Sequence, residues 1–89
     1  MRQATVFYEG SVQGVGFRFT AVRIARGYSV AGSVRNLGDG RVELVAEGEE
    51  DEVRSFLAEV TGTMEGHIRN EAVAWGDPSG EFKGFSVGF

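Results

Sequence analysis

The segment VAGSVRNLGDGRVELVAE, residues 30–47, constrains the fold more than any other stretch of the chain. Gly38, Asp39 and Gly40 form a turn signal between two strand-like runs, so residues 30–37 and 41–47 predict a β-hairpin. In the second run Val42, Leu44 and Ala46 alternate with charged or exposed positions. Successive side chains of a strand point to opposite faces, so one face of this hairpin is buried.

The flanking segments say what accompanies it. Residues 4–12 (ATVFYEGSV) are rich in β-branched and aromatic residues and read as a strand. From Phe17 onward, Phe17, Ala21, Ile24, Ala25 and Tyr28 recur at helical spacing on one face, with Gly27 as a stop. Residues 49–60 predict a second helix, with an acidic first turn and an apolar stripe of Val53, Phe56, Leu57 and Val60. Residues 67–75 give a weaker strand, and FKGFSVGF a last short one with Phe85, Val87 and Phe89 on one face. The order β-α-β-β-α-β, with a short fifth strand at the C-terminal end, suits an α+β fold. The expected form is a ferredoxin-like sandwich, one antiparallel sheet with two helices on one face. A right-handed crossover makes the first two strands parallel and inserts the third between them. Their C-terminal ends then share one edge, so the loop over residues 12–18 and Asn36 are expected to be neighbours.

Composition limits the functions open to such a fold. A chain of 89 residues suits a single domain, and 42% hydrophobic with 25% charged residues is ordinary for a globular protein. No apolar run approaches the roughly 20 residues that span a bilayer. The start MRQATVFYEG lacks the apolar core of a signal peptide, so a cytoplasmic protein is expected. The absence of cysteine removes disulfides, zinc–thiolate sites and any thiol nucleophile. Glu49–Glu52 complement a helix dipole and show no calcium-loop spacing, so no metal site is expected. The net charge of −4 argues against general nucleic-acid binding. Residues 1–41 carry six arginines against Glu9 and Asp39, a net of +4, while residues 42–89 carry a net of −8. Either folding mixes the halves and the asymmetry means little, or the first half holds a small-anion site.

The segment GSVQGVGFR, residues 10–18, lies between the first strand and the first helix. By itself it is a glycine-rich turn of a common kind. It also has the parts of an anion cradle, because successive amides of a tight turn converge as a nest and a helix N-terminus adds partial positive charge. Gly14 and Gly16 permit positive φ, and Arg18 in the first turn can grip two phosphate oxygens with its fork. No lysine followed by Ser or Thr closes the loop, so it is not a nucleotide loop. With no thiol, water is left as the nucleophile unless a hydroxyl or carboxylate serves. Ser11 and Thr20 have no evident activating base, and the lone His67 on strand four reads more naturally as structural or exposed. A site without a general acid favours a leaving group that departs as an anion. Acyl phosphates expel a carboxylate whose conjugate acid has a pKa of about 4, and hydrogen-bond donors suffice to position and stabilise that reaction. Asn36 admits two readings: an amide that aims a water at phosphorus, or an ordinary asparagine at a hairpin entrance.

GSVQGVGFR followed by AGSVRNLGDGRVELVAEG resembles the two signature segments of the acylphosphatase family. The resemblance runs from the first strand through Gly48, continues loosely through the second helix and returns at FSVGF. It implies a ferredoxin-like enzyme that hydrolyses acyl phosphates to carboxylate and orthophosphate without metal or cofactor. It further implies that the backbone amides of Gln13, Gly14, Val15, Gly16, Phe17 and Arg18 bind the phosphate together with the Arg18 side chain. Asn36 would orient the attacking water. Ser33 departs from the pattern, standing where many members carry an aromatic residue. TMEGHIRNEAVAW also lacks a proline-containing approach to the fourth strand. The expectation is a monomer acting on a small-molecule acyl phosphate, with no nucleic-acid or membrane partner. The alternative is a non-catalytic anion-binding module on the same fold, which would have no need of Asn36 to place a water. An RNA-binding module of this topology is disfavoured by the acidic charge and the missing basic-aromatic strand signature.

Overall fold

Five aliphatic side chains line up across the sheet in one row, Val73, Val6, Leu44, Val34 and Val87, each partnering the next across a strand boundary. They come from five different strands of a computed structural model that describes residues 1–88; Phe89, expected on the face of Phe85 and Val87, lies outside the described residues. In chain order the elements are β1 (Arg2–Gly10), α1 (Phe17–Ala25), β2 (Ala31–Asn36), β3 (Val42–Gly48), α2 (Glu50–Thr63), a 3-10 turn (Glu65–His67), β4 (Ile68–Gly76) and β5 (Phe85–Val87). The sheet runs β4-β1-β3-β2-β5. As the crossover rule requires, β3 lies between β1 and β2 and is antiparallel to both, which makes β1 and β2 parallel. The antiparallel sheet expected from the sequence is present over four strands. β5 departs from it by pairing parallel to β2, so the five-stranded sheet of this ferredoxin-like α+β fold is mixed.

Alternation decides which face is covered. Ala4, Val6 and Tyr8 of β1, Val34 of β2, and Val42, Leu44 and Ala46 of β3 are all fully buried against the helices. The helices answer with Phe17, Ala21, Ile24 and Ala25 from α1, and Val53, Phe56, Leu57 and Val60 from α2. Phe56 joins the two ends of the layer, meeting the Tyr28 ring at 6.0 Å and the Phe85 ring edge-on at 5.2 Å. The end of α1 differs in detail from the glycine stop. Arg26, Gly27 and Tyr28 donate back three residues to Arg23, Ile24 and Ala25, tightening the last turn without a left-handed cap. His67 closes the 3-10 turn rather than lying on β4.

The acidic start of α2 is used structurally. Glu50 pairs with Arg2 at 2.8 Å and with Arg54 at 2.9 Å, while Glu52 accepts from the Ser29 amide at 2.8 Å. Neighbouring Arg2 and Arg54 both lie over the Trp75 ring, at 5.1 and 4.7 Å from its centroid. The opposite sheet face is crossed by the connection from β4 to β5. There Glu47, almost wholly buried, accepts from Ser79 N and Ser79 Oγ at 2.7 Å, from Gly80 N at 3.1 Å and from Gln3 Nε2 at 2.6 Å.

Candidate active site

The topology delivers the residue 12–18 loop and the end of β2 to the same sheet edge, and one side chain fastens them together. Gln13 Nε2 donates to the carbonyls of Leu37 and Arg41 at 2.8 and 2.9 Å, plugging the loop into the β2–β3 turn. Asn36, the last residue of β2, falls in the cross-strand row of Tyr8 and Val42 and so belongs to the helix-covered face. The Tyr8 ring in turn packs, tilted by 52°, against that of Phe17, the first residue of α1, with centroids 4.8 Å apart. Strand, hairpin and helix start are thus locked together around one cleft of about 230 Å³, lined by Val12, Gly14, Gly16, Phe17, Arg18, Phe19, Asn36 and Val87.

The donor side of this cleft is the loop and the helix start. Gly14 and Gly16 have φ of 78° and 77°, in the left-handed region. A Cβ at either would meet no atom within 4 Å, so it is the backbone turn and not crowding that selects glycine. Gly16 is the residue before the first turn of α1; it offers no side-chain cap, and no acidic residue stands in that turn. The first intrahelical bond runs from Thr20 N to Gly16 O at 2.9 Å, which leaves the amides before it without a helix partner. Among the described residues, none of the amides of residues 13–19 finds an acceptor. Arg18 forms no ion pair among the described residues, unlike Arg2, Arg35, Arg41, Arg54 and Arg69, each of which holds a carboxylate. A free guanidinium beside free amides at a helix N-terminus is an arrangement able to receive a phosphate-sized anion.

Of the sequence-derived candidates, Gly14, Gly16, Phe17, Arg18 and Asn36 meet in the cleft; Gln13 and Val15 do not line it. Gln13 serves through its side chain instead, and Val15 is turned partly to solvent. Ser11 is exposed and Thr20 half-buried, and both lie off the cleft. Ser11 shares a separate depression with His67, without a hydrogen bond between them. Sequence reasoning missed Phe19 and Val87. Phe19 falls outside the helical apolar stripe and is 82% exposed, yet it borders the cleft. Burying such a ring elsewhere would stabilise the fold by about 1.5–3 kcal/mol, so packing does not account for its place. The only local signal was an aromatic residue out of helical phase.

The chain matches the family model described as Acylphosphatase over residues 4–87. An acylphosphatase from Roseiflexus sp. (strain RS-1) is 44% identical over 88 residues, covering 98% of this chain and 95% of that one. The crystal structure of acylphosphatase from Bacillus subtilis superposes with a TM-score of 0.89 at 32% identity, covering all of both chains. The crystal structure of T. kodakarensis HypF contains a similar unit in 12% of its chain, with a TM-score of 0.84 and 30% identity. With a family match along nearly its whole length and a cleft built on the two segments that carry the resemblance, the chain belongs to the acylphosphatase family and is an acylphosphatase.

Proposed function

We propose that the cleft hydrolyses acyl phosphates by positioning and electrostatics, with Arg18 and the loop amides of residues 13–18 holding the phosphoryl group and Asn36 aiming the water. The observation that carries this reading is the shared cleft: Gly14, Gly16, Phe17 and Arg18 on one side, Asn36 on the other. The water oxygen bonds to phosphorus while the bond from phosphorus to the carboxylate oxygen breaks. The carboxylate leaves as an anion, and the water's proton passes to a phosphoryl oxygen, giving dihydrogen phosphate. Asn36 accepts a hydrogen bond from the water but takes no proton. Charge growing on the phosphoryl oxygens meets amides already oriented by the left-handed turns at Gly14 and Gly16, so little reorganisation is required as the barrier is crossed.

The test is phosphate release from benzoyl phosphate. Arg18→Ala and Asn36→Ala each lower kcat/KM by about 100-fold or more, the scale of losing one aimed donor or one positioned reactant. Arg18→Lys is expected to recover little, because an ammonium cannot reproduce a two-pronged grip. Full activity in either alanine variant would refute the assigned roles. A non-catalytic anion module on the same fold would bind phosphate and release none from the substrate.

A further inference from the structure

The cleft has two unlike parts. Loop amides and Arg18 supply hydrogen-bond donors, whereas Val12, Phe17, Phe19 and Val87 are apolar. Val12 and Phe17 are buried and form the floor, while Phe19 and Val87 stand at the opening. We infer that this apolar rim selects acyl phosphates with an apolar acyl group, aromatic above all, and that Phe19 is the residue that recognises it. The inference rests on the reaction proposed above and names its substrate class.

Phe19 follows Arg18 directly in the first turn of α1. A substrate whose phosphoryl group sits on the Arg18 fork therefore carries its acyl portion out of the donor cradle and past the neighbouring side chain. Val87 faces it from β5, held in place because β5 pairs with β2 with Val87 opposite Val34. Among the described residues no carboxylate lines the cleft, and Arg18 is its one cation. An acyl group bearing a second charge would thus find no partner there, whereas an aryl ring would find an aromatic face already free of protein contacts. A lone exposed phenylalanine is unremarkable on a protein surface. Phe19 differs because it stands on the wall of the cleft that also holds these amides and Arg18, which forms no ion pair among the described residues. An aromatic pair gains roughly a few-fold to tenfold in binding beyond its buried area.

The experiment measures kcat/KM for benzoyl phosphate and for acetyl phosphate in wild type, Phe19→Ala and Phe19→Tyr. In wild type the benzoyl ester is the better substrate. Phe19→Ala lowers the benzoyl-to-acetyl ratio about fivefold, and Phe19→Tyr, which retains an aromatic face, keeps it. An unchanged ratio in Phe19→Ala overturns the inference, including the case in which both substrates slow equally, and leaves the proposed reaction standing. Failure of wild type to release phosphate from either substrate removes the proposed reaction and the inference together.

Discussion

Tyr8 is fully buried in β1, and its hydroxyl has no hydrogen-bond partner among the described residues. Burial first, and then the nearby negative charge of Glu71, push its pKa well up, against the influence of the Thr61 hydroxyl beside it. Thr61 already has its hydrogen bonds with the Glu71 carboxylate, at 3.2 and 3.4 Å. A buried hydroxyl without a partner costs more than it returns, so Tyr8→Phe is expected to raise the unfolding free energy by about 1 kcal/mol. Urea denaturation measures this directly, and a clear loss of stability would mean that the hydroxyl is bonded after all. At this scale legibility varied with how a residue acts. Arg18 and Asn36 could be picked out because their chemistry is carried by their own side chains and the topology predicted their meeting. The side-chain role of Gln13 and the cleft positions of Phe19 and Val87 could not, because each owes its place to something distant: a hairpin carbonyl pair, a cleft wall, or a strand partner.

At the scale of elements, the segment between β4 and β5 was the least legible, since DPSGEFKG carries turn signals but no periodicity. Its Ser79–Gly80 turn is held by a single carboxylate, that of Glu47, and its end by Gly32 N donating to the Gly84 carbonyl at 2.9 Å. Burial alone would raise the pKa of Glu47, but the Ser79 amide and hydroxyl, the Gln3 side chain and the Gly80 amide outweigh it and bring the value down from 4.5 to about 2. A depressed carboxyl pKa stabilises the folded state fully above the unfolded value. That contribution is lost as pH falls from about 4.5 toward 2, because the unfolded chain takes up its proton first. Glu47→Gln places an amide donor against existing donors and is expected to cost about 2 kcal/mol near neutral pH. Unfolding followed across the acid range should show the gap between wild type and variant narrowing as pH drops through that window. A gap independent of pH would contradict the role given to the charge. The regular elements, in contrast, were read to within a few residues, because alternation and helical stripes are local and need no partner to be visible. The 3-10 turn before β4 and the parallel pairing of β5 escaped, the latter because pairing direction is not written into a strand of three residues.

Across the whole molecule, folding cancels much of the charge asymmetry seen along the chain. Arg2 and Arg35 of the first half are taken up by Glu50 and Glu43 of the second, while Arg41 pairs within its own half with Asp39. Arg18, Arg23, Arg26 and Lys83 form no ion pair among the described residues; the three arginines lie along and just beyond α1, and Arg18 lines the cleft. Folding thus mixes part of the asymmetry, and the other reading, a small-anion site in the first half, rests on the function proposed for the cleft. A net charge of −4 would repel an anionic substrate at long range, whereas this local cluster attracts it close in. The cluster is nearer the site, and kcat/KM for acetyl phosphate is expected to fall about threefold between about 0.01 M and 1 M salt as the field is screened. A rate that rose with salt would show the overall charge to dominate.

The parallel docking of β5 beside β2 has a temporal side. Val87 reaches the cleft from the opposite end of the chain to the loop it faces. During synthesis the glycine turn, α1 and the hairpin leave the ribosome long before the strand that completes their rim. The cleft is therefore assembled in two instalments, the donor side first and the apolar rim after it.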